Sequence, residues 1–424
     1  MKKTFLAFFL LSYHIVIAQL NLGVVGMPYL QQQTSLDPSF ISEHRFVIGG
    51  DADLGAYNSF GGLKIKSGKV SAVRPADPSV VYTSVNWNLL NMGIRVGKNS
   101  FISFSESIKQ FNYGSISENG MGMLINGNAP YIGVDVLANP NIQSLSYNEL
   151  SLGFAHKFGN LQVGARGKYW SGITAISTGT NNELSILTDK DAYQLTLRSD
   201  YSLFTAPSYD VNGLLNGDNS LSGFRFRGSG LGLDLGARYN VSSKLSVGAS
   251  VIDLGNMKWD GLENTSKGKV RYEGFDATKA FTDREDLVFA VNLDTLVNQL
   301  KFSATDNVSF KTTLPTTFIL TGTYKFGKKL STTALYSSTS YQKTNMHTIM
   351  FNGQYQLFRF LNLGMSYSLR NSASLLGANL TLGSRAVQFF VMTDNIPGIF
   401  RPLQTSTLNA RMGLNLRFGR MEFN

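Results

Sequence analysis

The sequence predicts an all-β fold: a transmembrane antiparallel β-barrel of about 14 strands (roughly 12–16) with long extracellular loops. Three observations predict it. Long stretches alternate apolar and polar residues with period two. The chain carries 29 Phe, 18 Tyr and 42 Gly against only 16% charged residues. An export leader opens it, yet no later stretch approaches the roughly 18–20 apolar residues of a spanning helix. Mean hydropathy is near zero, as expected where a lipid-facing surface is dispersed by alternation.

The leader comes first. Lys2-Lys3 form a positive n-region, Thr4 to Ile17 an apolar h-region, and Val16-Ile17-Ala18 supplies small residues at the usual cleavage offsets. Residues 1–18 are therefore expected to be a signal peptide and residues 19–424 one mature barrel domain. An uncleaved anchor would need a longer apolar stretch. The chain has no cysteine, which excludes both a disulfide framework and lipid attachment at a leader cysteine.

The hairpins follow. In "FAHKFGNLQVGARGKYW" (154–170), Phe154, His156, Phe158, Leu161, Val163, Ala165, Gly167 and Tyr169 form one series. Ala155, Lys157, Gln162, Gly164, Arg166, Lys168 and Trp170 form the other, with Gly159-Asn160 at the turn. The pattern recurs in 231–255, 318–338, 349–371 and 376–394, each time as strand, tight turn, strand. Phe46 to Tyr57, Leu90 to Val96, Phe101 to Ile108 and Tyr193 to Leu203 are further candidate strands. Short turns, several of them basic, place one end of the barrel in the periplasm, with Tyr and Phe as the interfacial girdle.

The closing strand is expected at the C-terminus. Leu408, Ala410, Met412, Leu414, Leu416 and Phe418 alternate with Asn409, Arg411, Gly413, Asn415 and Arg417. About eleven residues of period two match one tilted transmembrane strand, and the terminal aromatic resembles an outer-membrane targeting strand. The barrel assembly machinery, outer-membrane lipid and lipopolysaccharide are the partners this implies.

Three segments alternate poorly: 112–145, 205–228 and 256–313. The last holds the charged run Thr282 to Asp286 and then helical spacing at Leu287, Ala290, Val291, Leu296 and Val297. Each is expected to form surface loops or to fold into the lumen as a plug. For 256–313 the loop reading, with a short amphipathic helix, is preferred.

The residues give little support for catalysis. His14 leaves with the leader, and His44, His156 and His347 have no trustworthy triad spacing. With no Cys and isolated His, no metal centre and no cofactor are expected. Asp51 and Asp53 share one face of the first strand and read as inward carboxylates. Arg95, Arg166, Lys168, Asp234, Arg238, Arg370, Arg411 and Arg417 likewise read as lumen-facing. Such inward charges, with contact to anionic headgroups, account for the formal charge of +10. Nucleic acid is not an expected partner of an exported barrel.

Four stretches resemble the Bacteroidota outer-membrane barrels related to the long-chain fatty-acid transporter fold. That group includes PorV, the PorP/SprF proteins of type IX secretion and a family of unknown function. The stretches are "GNAPYIG" (127–133), "ELSLGFAHKFGNLQVGARGKYWSGI" (149–173), "LSVGASVIDLGNMKWD" (245–260) and "ARMGLNLRFG" (410–419). Where those relatives often carry Asn-Pro-Ala near the mature N-terminus, this chain has Asp37-Pro38-Ser39. The resemblance implies a non-enzymatic barrel that transports or binds a hydrophobic or small ligand. Its alternative is a scaffold or accessory subunit of type IX secretion or surface assembly, with secretion-system or surface proteins as partners. A barrel hydrolase is the remaining reading.

Overall fold

Period-two sequence becomes strand wherever it occurs, and the strands close on themselves. The computed structural model describes residues 21–27, 30–66, 69–72, 76–180, 182–192, 194–207, 226–272, 302–342, 344–371, 373–384 and 386–420. The leader, the charged run 282–286 and the helical spacing at 287–297 lie outside the described residues. Fourteen strands form the wall. They are β1 His44–Asn58, β2 Ser79–Val96, β3 Ser100–Ile116, β4 Asn141–Phe158, β5 Leu161–Thr178, β6 Gly228–Asn240 and β7 Leu245–Tyr272. Then come β8 Thr316–Lys325, β9 Leu330–Tyr341, β10 Thr344–Phe358, β11 Leu361–Arg370, β12 Ala373–Gly383, β13 Val387–Thr393 and β14 Thr407–Arg420. Each pairs antiparallel with its neighbour in the chain. β14 returns to β1 in register from His44↔Arg420 to Tyr57↔Thr407. Closure leaves the wall no free edge.

The end opposite His44 and Arg420 carries the long connections and two short ones, from Tyr341 to Thr344 and from Arg370 to Ala373. Tight turns such as Gly159-Asn160 between β4 and β5 lie at the same end as His44 and Arg420. Gly159 takes φ 57° there, the left-handed conformation a two-residue hairpin demands. By the usual asymmetry of such barrels this end is periplasmic and the longer connections are extracellular.

The polarity of the wall is inverted relative to a soluble protein. Leu152 (62% exposed), Leu231 (72%) and Met365 (62%) point outward, whereas Arg166, Asp234 and Asn352 are buried inside. An apolar outer belt around a polar interior is stable only where hydrocarbon replaces water outside. Along β5 the two series separate by face: Leu161, Ala165 and Tyr169 are exposed, and Arg166, Lys168 and Trp170 are buried.

Two expectations are corrected. Residues 256–272 and 303–313 are strand, not loop: β7 runs 28 residues and pairs beyond the barrel with Ser303–Thr313 and Leu195–Ala206. The candidate wall strand at Tyr193 to Leu203 is seen as Leu195–Ala206 and instead belongs to this extension. It replaces β6 between the outer ends of β5 and β7 and also pairs with Glu183–Thr188. Leu314-Pro315 separates Ser303–Thr313 from β8, since proline supplies no ladder N–H.

The second correction concerns the plug. Segment 112–145 forms the end of β3, the helix α1 (Glu118–Asn126), a short strand Asp135–Leu137 and the start of β4. Ser117 caps α1 by accepting from the Gly120 N–H. Met121 on α1 packs with Phe60, Ile116 and Ala138 at the outer rim, so this segment covers the rim. The lumen is filled by residues 21–27 and 30–43. Without a strand partner, this stretch satisfies its backbone in two 3-10 turns, Leu22–Gly26 and Gln31–Ser35. It descends from the outer half of the lumen to the periplasmic end, where β1 begins. Two wall glycines let it lie close: a Cβ on Gly164 would stand 2.0 Å from the Pro38 carbonyl oxygen, and one on Gly236 2.8 Å from Pro38 Cδ.

Candidate functional site

The lumen is stratified into plug, ion band and aromatic cluster. Apolar residues of the plug (Leu22, Val24, Val25, Met27, Leu30, Leu36) pack on inward wall residues that include Ile252, Ile319, Met350 and Phe390. Phe40 adds an edge-on contact with Phe101 of β3, and many of the other contacts with the wall are polar. Gln32 and Asn415 exchange amide hydrogen bonds of 2.8 and 2.9 Å. Asn352 donates to the Gly23 carbonyl at 2.9 Å, Arg166 to Thr34 at 2.6 Å, Ser250 to Leu36 at 2.6 Å and Arg95 to Ser42 at 2.6 Å. Asn21 donates to Asp53, and Arg238 pairs with Asp37. Wall side chains thus satisfy the backbone of a segment that has no ladder of its own.

At the outer end, Asp394, in the connection from β13 to β14, accepts from the Leu22 and Gly23 backbone N–H groups. Burial raises its carboxyl above the ordinary range. Arg370, 3.7 Å away, together with Asn409 and those two amides, opposes the shift.

Above the middle of the plug lies a compact ion band. Lys109 Nζ meets Glu149 at 2.7 Å. Lys168 Nζ sits 2.8 Å from Asp234 and 2.6 Å from Asp253. Arg166 approaches Asp234 at 3.9 Å. Trp170 Nε1–H donates to Glu149 at 2.8 Å. Among the described residues three cations face three carboxylates, so the band is balanced. A second group joins Arg411 to Asp51 (2.7 Å) and Asp53 (3.7 Å), and Asn88 donates to Asp51 at 2.8 Å.

The aromatic cluster stands outward of the band. Phe111, Tyr113, Tyr147, Trp170, Trp259, Phe310 and Tyr341 are buried together, with Tyr82 and Phe204 against them. Tyr341 meets Phe111 and Tyr113 edge-on at centroid separations of 4.9 and 5.2 Å, and Phe204 stacks on Phe310 at 5.2 Å. Trp259 donates to Thr312 Oγ1 at 2.8 Å.

The anticipated residues therefore fall into separate groups. Arg166, Lys168 and Asp234 meet in the ion band; Asp51, Asp53 and Arg411 meet on the β1–β14 wall. Arg95 and Arg238 hold the periplasmic part of the plug, and Arg370 sits by Asp394. Arg417 stands at the periplasmic rim, donating to the Ser384 carbonyl at 2.6 Å. On β14, Met412, Leu414, Leu416 and Phe418 point outward at 40–51% exposure, with Leu408 and Ala410 half-buried on the same face.

Sequence reasoning missed Lys109, Glu149 and Asp253. The first two were legible: Phe101, Ser103, Ser105 and Ser107 set the inward parity that Lys109 continues, and Leu150, Leu152 and Phe154 set the outward parity opposite Glu149. Asp253 was not, because it follows outward-facing Val247, Ala249 and Val251. A bulge between β6 and β7, with Asp253 at φ 61°, turns its carboxylate inward. The aromatic cluster was also unread, since its rings come from strands far apart in the chain.

These features define an outer-membrane type of β-barrel whose lumen is closed by its own N-terminal segment. The chain belongs to a family of unknown function, DUF5723, whose model matches residues 71–394. No curated protein matches it. Among solved structures it is similar to the toluene transporter TbuX of Ralstonia pickettii, at 13% identity over 92% of this chain and 94% of that one, with a TM-score of 0.44. It is also similar to the toluene transporter TodX of P. putida (9% identity, 92% and 95% coverage, TM-score 0.43). A Pseudomonas aeruginosa FadL homologue gives 10% identity, 93% and 95% coverage, and a TM-score of 0.42.

Proposed function

We propose that this protein is a non-enzymatic outer-membrane barrel that binds a small apolar ligand at the outer end of its lumen and passes it inward past the N-terminal segment. The observation that carries this reading is the aromatic cluster. A barrel interior is ordinarily polar, yet here seven aromatic rings are buried together outward of the plug. Such a surface recognises apolar and aromatic molecules by stacking and burial. The balanced ion band beneath it leaves no spare charge for an ionic ligand, which favours an uncharged one.

The chain's three tryptophans supply the test. Trp170 and Trp259 lie in the cluster, while Trp87 is exposed on the outer belt. In a Trp87→Phe barrel the remaining fluorescence reports the lumen alone. Titration with toluene should give a saturable change, and a charged medium-chain fatty acid a weaker one. A linear, unsaturable response to both refutes the reading.

A second reading, a scaffold of secretion or surface assembly related to PorV or PorP/SprF of Bacteroidota, draws support from the sheet that rises beyond the rim. Arg198 and Lys267 there are well exposed. Photo-crosslinkers at these two positions in whole cells should capture one discrete partner under this reading. Toluene should then leave lumenal fluorescence unchanged.

A further inference from the structure

We infer that the outer wall carries a specific binding site for an anionic phospholipid of the periplasmic leaflet. The site combines an acyl-chain groove with a basic edge, on wall strands that carry no acidic counter-ion near it.

The groove is a depression of about 610 Å³ in the apolar belt, across β6, β7, β8 and β9. Its floor is made of small residues in two staggered cross-strand pairs, Ala237 opposite Ala249 and Gly322 opposite Ala334. Tyr239 and Tyr336 stand at its margins. On β10 and β11 beside it, Phe351 (57% exposed) and Met365 (62%) stand out from the wall. Gly322 faces the open side of the groove, where a Cβ added to it meets nothing within 4 Å. In a bilayer, hydrocarbon must fill such a hollow, and a chain seated in it gains contacts that a chain on a convex wall does not.

The edge lies directly below, at the periplasmic end of the same strands. Lys244 ends the turn from β6 to β7, Lys325 ends β8, and Lys328 and Lys329 form the turn to β9. All four are exposed. The turns lie side by side: the Lys325 N–H donates to the Lys244 carbonyl at 2.8 Å, and the Gln356 N–H to the Lys329 carbonyl at 2.8 Å. No Asp or Glu occurs between Asp234 and Asp253, nor between Asp306 and Asp394. Lys325, on the inward parity of β8, interacts with Glu43 of the plug, and Asp234 and Asp253 of β6 and β7 are held inside the lumen by Lys168. Lysines on a solvated edge often serve solubility alone. Here Lys244, Lys328 and Lys329 stand on the turns themselves, beneath the opening of an apolar groove. That is where a headgroup phosphate sits when its acyl chain lies along the wall. Anionic headgroups attract such lysines by about a factor of five each.

The test is native mass spectrometry of barrel folded into vesicles of equimolar phosphatidylglycerol and phosphatidylcholine. The wild-type barrel should retain phosphatidylglycerol selectively. Each Lys→Gln change at 244, 328 or 329 should reduce that selectivity by about fivefold. Gly322→Leu should fill the groove and abolish retention while the heat-modifiable folded form persists. Lys98→Gln, at the turn from β2 to β3 and away from the groove, should leave retention unchanged. Equal retention of the two lipids by the wild type, equal loss in the Lys98→Gln control, or full retention by Gly322→Leu would each overturn the proposal. Lipopolysaccharide in place of phospholipid on barrel taken from whole outer membrane would overturn the leaflet assignment.

Discussion

Ala165→Arg places a guanidinium on the lipid face of β5 near the middle of the membrane. Ala165 lies between Phe154 of β4 and Leu235 of β6 in cross-strand register, and both neighbours are exposed outward at 53% and 45%. It is four residues along β5 from Leu161 at the periplasmic turn. At about 3.3 Å rise per residue and a tilt near ~40°, each residue climbs roughly 2.5 Å, which puts Ala165 about 10 Å above the turn. The apolar band is about 25 Å tall, so this position falls within a few ångströms of the midplane. Arginine there costs roughly 2–4 kcal/mol, falling toward zero at the interfaces, and about 3 kcal/mol is expected here. Guanidinium titration of barrel folded in lipid vesicles, read by heat-modifiable mobility, measures it. Gln162→Arg, on the inward face of the same strand, should cost under about 1 kcal/mol because water and lumenal polar groups solvate it. Equal losses for the two variants would falsify the assignment of faces.

The plug, the inner wall and the closing strand each give a further outcome. Deleting residues 21–36 should convert a poorly conducting barrel in planar bilayers into a steadily open pore; an unchanged current would mean that the lumen is sealed elsewhere. Arg166→Ala removes the donor to the Thr34 carbonyl and should raise the frequency of brief openings, while Arg166→Lys restores part of the closed state. Arg411→Leu strands Asp51 and Asp53 inside the wall and should cost about 3–5 kcal/mol. Adding Asp51→Asn and Asp53→Asn should recover most of that stability, and failure to recover it would show that packing, not charge, dominates there. Deleting 408–424 removes the partner of both β1 and β13; no heat-modifiable, membrane-integrated species should form.

Alternation told which side chains share a face because the strand period of two is a local property, carried by each residue's own neighbours. It therefore exposed the hairpins around Gly159-Asn160 and Gly327-Lys328-Lys329, the closing strand ending at Phe418, and the inward parity of Arg166, Lys168 and Arg411. The same rule failed at Asp253, where one bulge reverses parity and brings a lipid-side residue into the ion band. It was silent on residues 21–43, whose apolar residues have no period because they meet many strands at once. That stretch carries only Asp37 and Glu43 as charges, a compositional hint that it avoids water without revealing what receives it. Only closure of the sheet decided that Gln32 meets Asn415, that Asn352 meets Gly23 and that rings from Phe111 to Tyr341 gather in one place. Those contacts join residues hundreds of positions apart. They exist only once fourteen strands have wrapped around a common axis, and the space left inside then selects the segment whose carbonyls and amides match the inward side chains.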